Sequence, residues 1–404
     1  MLVACWNAEA SIEPAVRSAL EPSDPGIEVI VVDDGSTDGT ADVVRRLASE
    51  DDRVRLLVLA ENVGASAARN RGLELVSGEW LTILDADDRF APGGLERLIW
   101  ATTTSTAKAV IGQQFWTDGG VPWITSQYDI PDIREPGRKR LADHPGLLYF
   151  VSPHAKLLHR STWEGLRFDG RMLGDQAWII RALLAAGDAI EVIADDVYEW
   201  HRPPRRGRAS SITTRSRSAV ASGVEAAAVA RRSFEAVAAD AADLAAPERK
   251  RLLMTYMERL LQYDLAPHVI EALDRRDPEA ATLIDAVTVF VRAMPPQVLG
   301  DSGTLARDAL GPLLIRWHRM DRAARAAYGR LATAVLGPDA RRRLRVTDAR
   351  YRVVLALGAA LPLRIAGPIA QLILGLTMLP GWAARRVRSR FSGVGVGRVA
   401  VGRL

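Results

Sequence analysis

The sequence predicts an α/β protein, in which a mostly parallel sheet flanked by helices is followed by a helical C-terminal domain. The first observation is that residues 1–90 alternate short apolar runs with amphipathic segments of helical period. The second is that two acidic clusters, Asp33-Asp34 and Asp85-Asp87-Asp88, stand directly after apolar runs. Because ligands bind beyond the carboxyl ends of parallel strands, these clusters indicate a binding site.

The periodicity of the sequence places the individual elements. Aromatic-rich extended pieces at 111–130 lead into a loop at 131–145, which is rich in proline and charge and which we expect to be mobile. A helix at 175–187 and a strand at 189–201 follow. In the N-terminal part, strands are predicted at residues 1–5, 27–34, 53–60 and 79–88, with helices at 40–49 and 65–76.

Composition limits the class of protein. A chain of 404 residues, of which 48% are hydrophobic and 25% charged, is typical of a globular protein with more than one domain. The single cysteine, Cys5, excludes an internal disulfide framework and fits a reducing compartment. The first residues turn polar too early for an export signal. We therefore expect a cytoplasmic location.

Three regions are predicted along the chain. Residues 1–215 form the α/β domain, 219–348 form a helical domain rich in Ala, Leu and Arg, and 349–404 form an apolar and then basic C-terminal segment. Within this segment, 365–384 is uncharged and the residues after it carry arginines and no acid. The uncharged part is either a surface-lying anchor or a buried helix, and 353–404 is the candidate for peripheral membrane contact.

The chemistry of the acidic clusters favours a cation and a diphosphate. The usual phosphate-binding loops are missing, because the first strand is not followed by GxGxxG and no GxxxxGK[ST] occurs. Nicotinamide cofactors and P-loop nucleotides are therefore disfavoured. Asp85-Ala86-Asp87 has the form Asp-x-Asp, which offers hard oxygen ligands to Mg²⁺ or Mn²⁺, and such a cation bridges phosphate oxygens.

Several motifs, in this order and spacing, resemble the family-2 inverting glycosyltransferases of bacterial cell-envelope type, which have the GT-A nucleotide-sugar fold. The match covers roughly residues 1–215. It implies that a sugar, hexosyl or N-acetylhexosaminyl, passes from a nucleotide-sugar donor, UDP-linked by preference, to a polysaccharide, teichoic-acid-like or lipid-linked acceptor. The motifs are VACWNAEASIEPAVRSAL, IEVIVVDDGSTDGT, ENVGASAARNRGLELVSGEWLTILDADD and GDQAW.

The resemblance implies a role for each residue of the nucleotide site. Trp6 would stack on the uracil ring, with core packing as the alternative, and Glu9 and Asp33 would contact the nucleoside. Arg69 would serve the nucleotide or its phosphates. Asp34 is also open to a purely structural role, as a cap of the following helix through Ser36 or Thr37.

The resemblance also implies a cation site and a general base. Asp87 would bind Mg²⁺ or Mn²⁺ directly, Asp85 would support the ribose and the metal, and Asp88 would be a secondary ligand or a helix cap. His201 is a further candidate ligand for the metal. Asp175 stands where the family has its base, although Gly174 replaces the glutamate that commonly precedes it.

The basic segment that contains Arg205 resembles the flap that closes over the sugar diphosphate in relatives, and the loop at 131–145 would border the acceptor site. A solvated linker is the alternative for the basic segment. The implied partners are the donor, the acceptor and the inner face of the cell membrane, with homo-oligomers left open. Nucleic acid is excluded, because the arginines are dispersed at helical spacing without a recognition motif.

Two other functions remain as alternatives. A haloacid-dehalogenase-type phosphohydrolase also carries Asp-x-Asp after an apolar strand, but this chain has Arg89 where that motif needs Thr or Val, and Ile179 where a later acid is required. A transferase-like scaffold without activity is the second alternative. It is disfavoured because the metal, base and nucleotide positions are all filled.

Overall fold

The computed structural model divides the chain into two compact units. The first comprises Met1–Ser218 with Glu225–Leu260 and the second comprises Ala219–Val224 with Leu261–Leu404, in each case over the described residues. The predicted C-terminal segment 349–404 lies outside the described residues. The structure describes residues 1–24, 26–118, 121–124, 128–170, 173–201, 220–295, 313, 316 and 319–336.

The N-terminal part of the first unit alternates strands and helices, as predicted. The elements in chain order are β1 (Leu2–Cys5), α1 (Ile12–Leu20), β2 (Val29–Asp33), α2 (Thr40–Glu50), β3 (Val54–Val58), α3 (Ala65–Leu73), β4 (Trp80–Leu81), β5 (Ile83–Asp85), β6 (Arg89–Phe90) and α4 (Gly94–Thr104). The parallel strands of this part form sheet A in the order β3-β2-β1-β5.

A mixed sheet, sheet B, completes the first unit. The remaining elements of this unit's α/β part are β7 (Ala109–Asp118), β8 (Val121–Trp123), α5 (Pro131–Arg134), β9 (Gly137–Lys139), a 3₁₀ turn (Pro145–Tyr149), β10 (Lys156–His159), α6 (Arg160–Trp163), α7 (Gly174–Ala186) and β11 (Ile190–His201). The strand order of sheet B is β4-β10-β7-β11-β6, with β8 beside β7 and β9 beside β11. β7 and β11 run parallel, whereas β10 runs antiparallel to β7.

The core of sheet A follows from the side-chain pattern of its elements. Every residue of β2 is buried, because helices cover both faces of a parallel sheet. Helix α1 was not predicted from the sequence, but its buried residues recur at helical spacing, as an amphipathic helix requires. These residues are Ile12, Ala15, Val16 and Ala19.

The run predicted as one strand at 79–88 changes sheets in its middle. Trp80 and Leu81 pair with β10 in sheet B, whereas Ile83–Asp85 pairs with β1 in sheet A. The carbonyl of Thr82, between the two strands, accepts a hydrogen bond from the amide of Leu2 at 3.0 Å. This short crossing joins the two sheets directly before the Asp-x-Asp segment.

The region 131–145 was wrongly predicted to be a mobile loop throughout. It contains α5, and it contains β9, which pairs antiparallel with β11 through Lys139 and Ile190. Asp132 accepts a hydrogen bond from the amide of Gly146 at 2.8 Å, which fixes the end of the region. Its proline and charge content therefore reflects short elements and turns that are tied to sheet B.

Helices follow the α/β elements along the chain, and they belong to both units. In the first unit, Arg181 of α7 donates to Asp240 at 2.6 Å and buried Arg259 donates to Gln176 at 2.9 Å. None of the helices that the structure describes has the length and apolar character of a membrane span. The helices are α8 (Val220–Asp240), α9 (Ala246–Arg259), a π-helical turn (Leu260–Leu265), α10 (Ala266–Arg275), α11 (Ala280–Arg292) and α12 (Arg322–Leu336).

Two helical glycines give opposite predictions for stability. A Cβ atom on Gly72 of α3 would lie 2.1 Å from Leu2 Cδ1, whereas a Cβ atom on Gly329 of α12 would meet nothing within 4 Å. Gly72→Ala should therefore lower the free energy of unfolding by about 1–3 kcal/mol through overpacking. Gly329→Ala should raise it by about 1 kcal/mol, because alanine is the better helix former. Urea denaturation measures both changes, and equal stability of Gly72→Ala and the wild type would contradict this packing of α3 on β1.

Candidate active site

The two acidic clusters meet at the carboxyl edge of sheet A. Strand β1 lies between β2 and β5, so that Asp33 is in register with Cys5, and Ala4 is in register with Asp85. The carboxylates therefore lie one strand apart at the edge where parallel sheets bind ligands. Both clusters lie at one edge of the sheet, after the strands where the sequence places them.

The loop after β1 presents Trp6 at this edge. Trp6 is 40% exposed, which excludes core packing as its role. The next residue, Asn7, has a φ of +48° and binds the loop after β2: its amide donates to Ser36 Oγ at 2.9 Å and its Oδ1 accepts from the amide of Thr37 at 2.8 Å. The two loops are thus held together, and Trp6 is partly exposed beside them.

Asp33 and Glu9 already have partners within the fold. Asp33 is 1% exposed, and its Oδ1 accepts from the amide of Ser36 at 3.1 Å and from the Ser36 hydroxyl. Glu9 is exposed, and its Oε2 accepts from the amide of Gly39 at 3.1 Å, at the N-terminus of α2. Both carboxylates thus shape the loops on which the predicted nucleoside contacts depend.

Asp34 does not cap α2, which corrects the structural role expected for it. Its buried carboxylate accepts from the amide of Val63 at 2.8 Å and from the amide of Gly64 at 2.9 Å. Gly64 has a φ of +93° and immediately precedes α3. Asp34 therefore fixes the start of α3, the helix that carries Arg69.

Asp85 is held from two directions. Arg69 Nη2 donates to Asp85 Oδ1 at 2.7 Å, and His154 Nε2 lies 3.0 Å from Asp85 Oδ2, at ion-pair distance but without the angle of a hydrogen bond. Burial alone would raise the pKa of this carboxyl, but His154 and Arg69 outweigh burial and keep the pKa well below its usual value. Asp85 is therefore anionic, and both of its oxygens face cationic or polar groups.

The other two carboxylates of the acidic cluster differ from each other. Asp88 is buried and accepts from the Tyr198 hydroxyl at 3.0 Å and from the amide of His201 at 2.9 Å. Burial, together with the charges of Asp85 and Asp87, raises the pKa of Asp88 well above its usual value. Asp87 is exposed, and desolvation by the surrounding protein and the charge of Asp85 raise its pKa as well.

This acidic cluster has the donor set that a hard cation prefers. Asp85, Asp87 and Asp88 each offer one carboxylate oxygen, and these oxygens lie within 4.8 Å of one another. His201 ends β11, its amide donates to Asp88 at 2.9 Å, and its electrostatic effect on Asp87 opposes a small part of the rise in the pKa of that carboxyl. The three aspartates predicted around the metal are therefore brought together with the backbone of His201 beside them, whereas Arg205 lies outside the described residues.

Arg69 joins the acidic cluster to the segment before α7. Its guanidinium lies 5.6 Å from the centre of the Phe168 ring, and its pKa is raised because the charges of Asp85 and Asp175 outweigh burial. Neighbouring Asn70 bonds the backbone of Phe168 twice, with both distances at 2.9 Å. Asn70 thus ties α3 to the segment before α7.

Asp175 lies in the first turn of α7 and acts electrostatically on both Arg69 and buried Lys156. Gly174, just before it, is closely packed. A Cβ atom there would lie 2.3 Å from Ser66 Oγ and 2.5 Å from the carbonyl oxygen of Asp169. A side chain at position 174 would therefore require Ser66 and the backbone of Asp169 to shift, and the packing at the start of α7 fits glycine.

Two residues that contact the acidic cluster, His154 and Tyr198, were not predicted from the sequence. The ring of His154 stacks on that of Tyr198 with centroids 5.0 Å apart, and Lys156, two residues after His154, is completely buried. Because β10 is antiparallel, its N-terminal end lies at the edge where the parallel strands end. The polar residues before β10 were a signal, but the direction of a strand cannot be read from its own residues.

Comparison with known proteins identifies the family of the N-terminal part of the chain. Residues 1–166, which carry both acidic clusters, match the sequence model of glycosyl transferase family 2. Of the relatives of the chain, the putative teichuronic acid biosynthesis glycosyltransferase TuaG of Bacillus subtilis is 38% identical over 118 residues, which are 29% of this chain and 47% of that protein. The chain thus spans about half the length of this relative.

Two further likenesses concern the sequence and the fold. The glycosyltransferase GlyG of Streptococcus pneumoniae is 28% identical over 211 residues, which cover 50% of this chain and 70% of that one. The crystal structure of S. aureus TarS 1–349 in complex with UDP-GlcNAc has a similar fold, with a TM-score of 0.62 at 17% identity over 83% of this chain and 91% of that chain. The predicted α/β fold of GT-A type is confirmed.

The packing of Gly174 gives a testable prediction. Gly174→Ala should lower the melting temperature by several degrees, because overpacking costs about 1–3 kcal/mol. Adding Ser66→Ala should restore only part of the loss, since the carbonyl of Asp169 remains in the way. Thermal unfolding measures the series. If Gly174→Ala and the wild type had the same melting temperature, there would be more space around position 174 than this packing allows.

Proposed function

We propose that this chain is a metal-dependent inverting glycosyltransferase, which moves a sugar from a nucleotide donor to a hydroxyl group of a cell-envelope acceptor. The observation that carries the proposal is the arrangement around Arg69. This arginine contacts Asp85 of the acidic cluster at 2.7 Å and lies within the electrostatic reach of Asp175. The proposed diphosphate site at Asp85 and the candidate base Asp175 thus lie on either side of one arginine.

The donor would bind across the ends of β1 and β2. Exposed Trp6 supplies a flat apolar surface for a base, and Asp33 ends the adjacent strand β2, where it accepts hydrogen bonds from the amide and the hydroxyl of Ser36. We infer a UDP-linked donor, because the family resemblance assigns uracil contacts to these positions. Arg69 carries the cationic charge suited to phosphate oxygens.

A bound Mg²⁺ or Mn²⁺ would neutralise the diphosphate as it leaves. Asp87 is the first residue proposed to hold this cation, because it is exposed and its carboxylate has no structural partner among the described contacts other than the cluster itself. Asp85 and His201 are the proposed neighbours. Asp88 is already engaged by Tyr198 and His201, so it supports the site mainly by holding the strand ends.

Asp175 is proposed as the general base. It stands at the start of α7, across Arg69 from the acidic cluster, and it would take the proton of the attacking hydroxyl group. Attack from the face opposite the diphosphate inverts the anomeric carbon. Because Gly174 has no side chain, Asp175 would perform this step without the neighbouring glutamate that relatives have.

The proposed acceptor is a polysaccharide or lipid-linked glycan of the cell envelope. The name of the B. subtilis relative refers to teichuronic acid biosynthesis, which supports this class of acceptor. The proposed location is the inner face of the cell membrane, where the basic end of the chain would meet anionic lipid. Arg205 is proposed to belong to a flap over the diphosphate.

Two substitutions separate the proposed roles. Asp175→Asn should reduce transfer by about a hundredfold or more, since general bases contribute 10²–10⁴-fold, and should leave donor binding unchanged. Asp87→Ala should weaken donor binding in the presence of Mn²⁺. Asp195→Asn is the matched control, because Asp195 is an exposed aspartate of β11 that pairs with Arg97. Turnover and calorimetry give the two quantities, and near-normal turnover of Asp175→Asn would refute the base.

The membrane proposal has its own test. Truncation after Ile365 should abolish cosedimentation with vesicles that contain anionic phospholipid, because it removes the apolar and arginine-rich residues. Vesicles of neutral phospholipid provide the control for the electrostatic part. Equal sedimentation of the truncated and complete chains would assign membrane contact to another part of the protein, or to none.

A further inference from the structure

Lys156, the first residue of β10, is a completely buried lysine that the proposed reaction does not use. Its Nζ donates to the carbonyl of Ser152 at 2.7 Å and to the carbonyl of His154 at 3.2 Å, and it lies 3.3 Å from the centre of the Phe150 ring. Burial lowers the pKa of Lys156 well below its usual value, and the two carbonyls satisfy the N–H donors of its buried amino group. All three partners belong to residues 150–155, which we call the His154 turn.

The His154 turn has a conformation that its own sequence does not favour. Ala155 has a φ of +55°, in the left-handed region that costs a residue with a side chain about 1 kcal/mol or more. Its carbonyl accepts from the amide of Gly112 in β7 at 2.9 Å. The turn therefore depends on contacts from outside, of which Lys156 supplies two hydrogen bonds and an aromatic contact.

The turn delivers His154 to the acidic cluster. This histidine is 4% exposed, its ring stacks on that of Tyr198 at an angle of 18°, and its Nε2 lies 3.0 Å from Asp85 Oδ2. Tyr198 in turn donates to Asp88 and accepts from the amide of Asp85 at 3.2 Å. The position of one imidazole ring thus bears on two carboxylates of the cluster.

We propose that Lys156 is a positioning residue for the acidic cluster, which holds the His154 turn so that His154 fixes the Asp85 oxygen that Arg69 does not contact. Asp85 then keeps one orientation, and Asp87 presents its carboxylate beside a fixed neighbour. This inference rests on the proposed function in one respect, because it takes the acidic cluster as the cation and diphosphate site. An inert lysine that only stabilises the turn would leave the affinity of that site unchanged.

The first experiment reads the position of His154 without any ligand. The chain has six histidines, so the side-chain signal of His154 in a ¹⁵N-histidine spectrum is the one that is lost in His154→Phe. That signal should move in Lys156→Met, which keeps the apolar stem and removes the donors, and in Asp85→Asn. The signal should stay in place in the control variant Lys139→Met. Lys139 is a buried lysine of β9 that pairs with Ile190, at the end of β11 opposite to His201.

The second experiment measures UDP binding in the presence of Mn²⁺ by calorimetry. Lys156→Met and His154→Phe should each weaken binding by about tenfold, the lower end of the effect seen for residues that orient metal ligands. The double variant should bind no more weakly than either single variant, because both act through the same contact. Lys139→Met should bind as the wild type does.

The outcomes separate this inference from the proposed function. A His154 signal that stays in place in Lys156→Met, or losses of affinity that multiply in the double variant, would overturn the positioning role. If Lys156→Met does not fold, Phe150→Leu removes the aromatic contact with Lys156, together with the ring contact to Tyr128, and must move the same signal. A wild type that does not bind UDP with Mn²⁺ would refute the proposed donor, while the His154 signal would still decide the role of Lys156.

Discussion

The contact of Asp85 with Arg69 is the interaction on which the rest of the site depends. Asp85 ends β5 of sheet A, Arg69 belongs to α3, and His154 approaches the same carboxylate from sheet B. One side chain thus joins both sheets and the helix that covers sheet A. The crossing at Thr82, where the chain passes from sheet B to sheet A, makes this possible because it delivers Asp85 next to β1.

The charge balance around Asp85 explains why the three carboxylates of the acidic cluster are not equivalent. Asp85 has cationic and polar neighbours that lower its pKa, whereas the pKa values of Asp87 and Asp88 are raised by desolvation and mutual repulsion. Tyr198 and the amide of His201 satisfy Asp88. Asp87 remains the exposed carboxylate for which a divalent cation would relieve the repulsion.

The sequence was sufficient for the parallel sheet and for the residues along its carboxyl edge, because apolar periodicity and the position of acids after strands are local signals. It was insufficient where direction or register matters. The split of the strand at 79–88, the pairing of β9 and the delivery of His154 by antiparallel β10 all depend on partners far away in the chain. The left-handed conformation of Ala155 likewise has no signal in its residue type.

We propose that a nucleotide sugar and a divalent cation bind together at the carboxyl edge of sheet A. The most direct measurement is a thermal-shift screen of the complete chain against nucleotide sugars, with and without Mn²⁺. We expect a UDP-sugar to raise the melting temperature only when Mn²⁺ is present, because bound ligand adds RT ln(1 + [L]/Kd) to the free energy of unfolding. Equal stabilisation without the cation, or by no nucleotide sugar, would contradict it.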